Sequence, residues 1–90
     1  MKKVNLNFDL FNLDGNKIST AGKMVSGLLM SEMKGDAEKL FDWAMTFNRG
    51  EEVSMDNSDF TKFKELIKST ERLSVLIKAP IIKYLETIKK

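Results

Sequence analysis

The chain has 90 residues, of which 42% are hydrophobic and 31% are charged, and its formal net charge is +2. This length and composition predict one globular domain, residues 1–90, and the small net charge does not by itself indicate a nucleic-acid or membrane partner. The sequence has no cysteine and no histidine, which excludes disulfides and thiolate metal sites and removes the most common general base and metal ligand.

The N-terminal residues predict a β-hairpin. Apolar residues alternate with polar ones at Val4, Leu6, Phe8 and Leu10. This period of two predicts a half-buried strand over residues 3–10. The alternation shifts at Leu10–Phe11, which indicates either a β-bulge or a strand that twists between two surfaces. Asp14-Gly15 is typical of a tight turn, and residues 16–18 then form a short returning strand.

The next segment predicts a helix that begins at Ser19 or Thr20 and ends at Gly35. Its predicted buried face consists of Ala21, Met24, Val25, Leu28 and Leu29. Gly22 and Gly27 weaken the helix by about 1 kcal/mol each relative to alanine, unless they permit the close approach of another element. Met30 lies opposite the buried face, so it is either a single exposed apolar residue or a contact with a subunit or partner.

Residues 36–50 predict the central amphipathic helix, with Asp36 as its N-cap and Gly50 at its C-terminal end. Five apolar residues recur at helical spacing and form its predicted buried stripe: Ala37, Leu40, Phe41, Ala44 and Phe47. Trp43 and Met45 flank this stripe. Trp43, the only tryptophan, is interpreted either as a residue at the edge of the core or as an anchor for a partner.

The second half of the chain predicts a short strand at residues 53–55, which would pair with the N-terminal hairpin. A third helix follows one of several candidate N-caps near Asp56 and ends near residue 70. Helical spacing continues from Leu73 to Ile88 but is interrupted by Pro80. The favoured interpretation begins the last helix at Pro80, because the residue before proline is disfavoured in helices. The alternative is one helix that passes through Pro80 with a kink.

These elements together predict an α+β fold. An N-terminal β-hairpin, with residues 53–55 as a candidate third strand, packs against about four short α-helices.

No residues form a convincing catalytic or metal site. The segment Asp9–Gly15 superficially resembles a calcium loop, but Leu10 and Ala21 would occupy its first and twelfth ligand positions, where neither can bind calcium. The paired carboxylates are better explained as helix caps or solvated side chains. We therefore expect a protein that is not an enzyme and that needs no metal or cofactor. We also expect no membrane partner, because no apolar run is long enough to span a bilayer.

Two interpretations of function remain. The first is a protein interface, for another protein or a second copy, formed by exposed apolar residues: Phe11, Met30, Trp43 and Met45. The alternative is nucleic-acid binding through lysines of the C-terminal helix: Lys78, Lys83, Lys89 and Lys90. A solvated helix face explains the lysines more simply, since the exposed aromatic residues that stack on bases are missing beside them.

Four segments of the sequence resemble segments of small proteins from bacteriophages and prophages: NLDGNKI, GKMVSGLL, KGDAEKLFDWA and LSVLIKAPIIKYL. The resemblance implies a phage or mobile-element source and an accessory or assembly role. It supplies no catalytic residues. The absence of cysteine fits a reducing compartment, so we expect the protein in the cytoplasm of a bacterial host cell.

Overall fold

The computed structural model describes residues 1–32 and 35–88, and in these it contains four helices and two two-stranded sheets. In chain order the elements are β1 (Lys2–Val4), β2 (Asp9–Phe11), β3 (Lys17–Thr20), α1 (Ala21–Met30), α2 (Ala37–Asn48), β4 (Val53–Met55), α3 (Asn57–Ser69) and α4 (Val75–Glu86). The predicted α+β class, the hairpin and the four helices are confirmed.

The chain divides into two compact units. Asn5–Val53 forms one, here called the hairpin unit, which contains β2, β3, α1 and α2. Met1–Val4 and Ser54–Lys90 form the other, the terminal unit, which contains β1, α3, α4 and most of β4. The single domain expected from the length of the chain stays a prediction.

The turn of the hairpin forms where Asp14-Gly15 predicted it. Gly15 has φ +84°, a conformation that glycine adopts without steric cost. The Asn12 side chain accepts hydrogen bonds from the backbone N–H groups of Asp14 and Asn16, both at 2.9 Å. Asparagine favours turns because its side chain can bond to the backbone in this way.

The predicted bulge at Leu10–Phe11 is confirmed. Leu10 lies opposite Ser19, whereas Phe11 lies opposite Lys17. The extra residue is therefore Ile18, in the opposite strand. Leu10 is buried, whereas Phe11 and Ile18 are exposed.

The predicted single strand over residues 3–10 is wrong, because β1 and β2 are separate strands in different sheets. The alternation does place Val4, Leu6 and Leu10 in the core. Residues 5–8 leave the strand conformation because their backbone bonds elsewhere. The carbonyls of Leu6 and Phe8 accept hydrogen bonds from the N–H groups of Gly22 and Ala21, at 2.8 and 2.9 Å.

Helix α1 begins as predicted but ends earlier than predicted. Thr20 is its N-cap and accepts a hydrogen bond from the Lys23 N–H. Its last residue is Met30, so the predicted end at Gly35 is wrong. Ser31 is its C-cap, and the N–H and hydroxyl groups of Ser31 both donate hydrogen bonds to the carbonyls of Gly27 and Leu28.

Helices α1 and α2 approach closely at Gly22. A Cβ atom there would overlap the carbonyl oxygen of Phe47. One turn later, the buried hydroxyl of Ser26 lies 2.7 Å from the carbonyl oxygens of Gly22 and Ala44, so it bridges the two helices. Gly22 contacts Phe47, and Ser26, further along α1, contacts Ala44, which comes earlier in α2. The two helices are therefore antiparallel.

Both ends of α2 were predicted correctly. The Asp36 carboxylate accepts a hydrogen bond from the Lys39 N–H. At the other end, the N–H groups of Gly50 and Glu51 bond to the carbonyls of Phe47 and Thr46. This is a Schellman motif, and Gly50 supplies its positive φ of +75°.

The predicted buried stripe of α2 is only partly correct. Ala44 and Phe47 are buried and Leu40 is half-buried, but Ala37 and Phe41 are exposed. The backbone contacts with α1 at Gly22 and Ser26 involve the second half of α2. Helical spacing shows which residues share a face, but it does not show how much of that face a neighbour covers.

In the terminal unit, β1 pairs with β4. The predicted third strand therefore exists, and it pairs with β1, which overlaps the start of the predicted N-terminal strand, and not with β2 or β3. Asp56 caps α3, whose buried residues are Phe60, Phe63 and Ile67. The Lys2 ammonium lies 5.1 Å from the centre of the Phe60 ring, which allows a cation–π interaction.

Helix α4 passes through Pro80, so the favoured start of a helix at Pro80 is wrong and the alternative of one helix is correct. Proline in a helix interior costs about 3 kcal/mol. The continuous helix buries Ile77, Ile81 and Leu85, and each such side chain contributes roughly 1.5–3 kcal/mol. Ile77 precedes Pro80 whereas Ile81 and Leu85 follow it, so the continuous helix holds buried side chains from both sides of the proline on one face.

We expect Gly22→Ala to lower the free energy of unfolding by about 1–3 kcal/mol, because the new methyl group forces the Phe47 backbone away. Gly27→Ala is the matched control in the same helix. A Cβ atom at Gly27 meets nothing within 4 Å, so this substitution should raise stability by about 0.5–1 kcal/mol. Chemical denaturation of the two variants measures both values, and equal effects would contradict the close approach.

We expect Pro80→Ala to raise the free energy of unfolding by about 2 kcal/mol. Alanine restores the N–H group that a helix needs at this position, a gain of about 3 kcal/mol that is partly offset by the freer unfolded chain. Thermal or chemical denaturation measures the change. Destabilisation would show that α4 depends on its proline.

Candidate protein-interaction surface

An open apolar groove lies between the C-terminal end of α1 and the first half of α2. Its volume is about 180 Å³. It is lined by Leu29, Met30, Glu32, Gly35, Ala37, Leu40 and Phe41. The groove lies at the opposite end of the helix pair from Gly22, so the antiparallel helices are close at one end and leave a groove at the other.

Two large apolar side chains on the groove are exposed. Met30 is 54% exposed and Phe41 is 50% exposed. Met45, which is 39% exposed, follows Phe41 by four residues on α2, and residues at this spacing are neighbours on a helix surface. The side chains of Met30, Phe41 and Met45 are here called the groove patch.

The structure brings together only part of the interface predicted from the sequence. Met30 lines the groove, and Met45 is a neighbour of Phe41 on α2 but does not itself line the groove. Trp43 is half-buried and does not line the groove, and Phe11 lies on the hairpin. Sequence reasoning missed Phe41 because its spacing assigned it to the core. The unusual apolar width of α2 was the signal that one neighbouring helix would not cover all of it.

The hairpin carries a second group of exposed apolar residues. Phe11 is 50% exposed, and Ile18 and Leu13 are also exposed. The ion pair between Lys17 and Asp9, at 3.3 Å, connects the two strands beside Phe11. These side chains lie on the two-stranded hairpin formed by β2 and β3 and the turn between them.

Of the four lysines of the alternative nucleic-acid surface, the structure describes Lys78 and Lys83. The Lys78 ammonium donates hydrogen bonds to the carbonyls of Lys68 and Thr70, at 3.2 and 2.5 Å. Thr70 is the C-cap of α3, so Lys78 neutralises the negative end of that helix. Lys83 is exposed, and Lys89 and Lys90 lie outside the described residues.

Within residues 1–32 and 35–88, no group of three or more acidic, cysteine or histidine side chains is placed to hold a metal ion. In the same part of the chain, no helix is long and apolar enough to cross a membrane. Every buried side-chain nitrogen or oxygen described there has a hydrogen-bond partner.

No protein-family model, curated protein or solved structure matches this chain.

We expect Lys78→Gln to lower the free energy of unfolding by about 1 kcal/mol, because it weakens the hydrogen bonds at the end of α3. Lys83→Gln removes the same charge from an exposed position of the same helix and should change stability by less than about 0.5 kcal/mol. Chemical denaturation compares them. Equal stability of the two variants would show that Lys78 is not a structural cap.

Proposed function

We propose that this chain is a non-enzymatic protein-interaction module and that the groove patch is its contact surface. The observation that carries the proposal is the open groove with Met30 and Phe41 exposed on it. Single exposed apolar residues are normal on protein surfaces. Apolar side chains that cluster at a concave site indicate a binding surface.

The resemblance of the sequence to small bacteriophage and prophage proteins supports an accessory or assembly role. On this proposal the protein acts inside a bacterial host cell by binding a phage or host protein. Binding through a preformed groove suits such a role, because a chain of this size has little surface to devote to a large interface.

Nucleic-acid binding receives less support. Lys78 is engaged at the end of α3, and Tyr84, the aromatic residue nearest the C-terminal lysines, is half-buried. A nucleic-acid surface needs several free cations on one face, because affinity grows with the number of phosphates that they neutralise.

The test compares two double variants that each replace two exposed apolar residues by serine. Met30→Ser/Phe41→Ser alters the groove patch. Leu13→Ser/Val75→Ser alters side chains that are 94% and 79% exposed and do not line the groove. The tagged proteins are used to capture partners from phage-infected bacterial lysate. The same set is compared by sedimentation velocity, after denaturation has confirmed that each variant folds.

We expect a defined protein to be retained by the wild type and the Leu13/Val75 variant, with at least a tenfold loss for the Met30/Phe41 variant. Truncation of a few central apolar residues typically removes most of the binding energy of an interface. Self-association that disappears only in the Met30/Phe41 variant would support the same surface. Equal retention by both variants, or no retained protein and no self-association, would contradict the proposal.

A further inference from the structure

The groove has the size of one side chain. Its volume is about 180 Å³, and an apolar protein cavity of about 150 Å³ is enough to bind benzene. The walls that would contact such a group are apolar, chiefly Leu29, Met30, Leu40 and Phe41. The groove therefore fits one aromatic or leucine-sized side chain and is too small for the whole apolar face of a helix.

The exposed edge of the groove on α2 is acidic. Glu38 precedes Phe41 by three residues and Asp42 by four, so the Glu38 side chain is a neighbour of both on the helix surface. Both carboxylates are exposed, and neither forms an ion pair within the described part of the chain. Lys39 is the only basic residue of α2, and it is about 160° around the helix from Phe41.

Glu32 lines the groove on the side of α1. The groove is therefore mainly apolar inside and has two exposed carboxylates beside its α2 wall, in a chain whose overall net charge is +2. Complementary charge around an apolar contact selects partners and speeds their association.

We infer that the groove binds a basic segment of a partner protein, which inserts one aromatic or leucine-sized side chain between Met30 and Phe41. Lysine or arginine residues next to this anchor face Glu38 and Asp42. The inference rests on the proposed function and gives it a partner of defined chemistry.

A second copy of the chain fits the groove less well. A stable protein interface buries roughly 1,200–2,000 Å² in total, which is far more than one side chain inserted in this groove would contribute. A short basic segment needs only the anchor and its flanking charges. Its expected Kd is on the order of 0.1–1 mM, because one anchored side chain and a few exposed ion pairs supply little binding energy.

The test uses three short synthetic peptides in an alanine–serine background. The first has a central phenylalanine with two lysines on each side. The second replaces the phenylalanine by serine, and the third replaces the lysines by glutamate. Each is titrated into the isotope-labelled full-length protein at low salt, and amide chemical shifts in NMR spectra report the affinity and the location.

Two charge-matched double variants separate the acidic edge from general electrostatics. Glu38→Gln/Asp42→Asn neutralises the edge of the groove. Asp14→Asn/Glu52→Gln makes the same change in net charge at exposed positions that do not line the groove. A Phe41→Ser variant removes one wall of the groove, and its far-ultraviolet circular dichroism shows whether α2 is retained.

We expect the lysine–phenylalanine peptide to shift the amides of the lining residues, with a Kd about tenfold lower than that of the other two peptides. The Glu38/Asp42 variant should bind it about five- to tenfold more weakly than the Asp14/Glu52 variant, and added salt should remove most of this difference. Phe41→Ser should abolish the shifts while α2 is retained.

Three results would overturn the inference. They are equal binding of the glutamate peptide, shifts that persist in Phe41→Ser, and occupation of the groove by a second copy in the absence of peptide. Two further results separate the two proposals. If no peptide binds at millimolar concentration but the Met30/Phe41 variant still loses a captured protein, the inference of a basic partner segment is refuted and the proposed interaction surface is retained. If the lysine–phenylalanine peptide binds at the groove but no protein is captured, the inference about the partner's chemistry is retained and the proposed function as a protein-interaction module is refuted.

Discussion

The close approach of α1 and α2 at Gly22 is the constraint on which the hairpin unit depends. The Phe47 carbonyl occupies the space that a side chain would need, and the Ser26 hydroxyl spans the same two helices one turn later. Burial of a hydroxyl is favourable only where it has such partners. The start of α1 is fixed as well, because the N–H groups of Ala21 and Gly22 bond to the carbonyls of Phe8 and Leu6.

This contact also explains the groove. Two antiparallel helices held together at one end by a glycine can separate toward the other end, where Leu29 and Met30 face Leu40 and Phe41 across open space. Phe41 thus lies on the apolar side of its helix without being covered by α1. A single exposed apolar residue is normal on a protein surface, whereas Met30 and Phe41 are both exposed at one concave site.

Much of the fold could be predicted because its signals are local. Asp36 and Asp56 cap their helices as expected, and Gly15 and Gly50 occupy their turns. The errors concern competition between distant residues. Residues 5–8 are not paired in a strand, because the carbonyls of Leu6 and Phe8 bond to the start of α1. Pro80 lies inside α4, where buried side chains on both sides of it favour a continuous helix. Helical spacing correctly placed Met30 and Met45 outside the buried faces, but it wrongly assigned Phe41 to the core. The spacing within one helix does not show which of its residues another helix covers.

The pairing of β1 with β4 has a consequence for synthesis on the ribosome. Lys2–Val4 and Val53–Met55 are separated by about 50 residues of sequence, so the first strand is made long before its partner. Residues 5–52 of the hairpin unit, which contain β2, β3, α1 and α2, lie within that interval. The order of emergence therefore favours early folding of the hairpin unit, and the terminal unit can assemble only after α4 has left the exit tunnel.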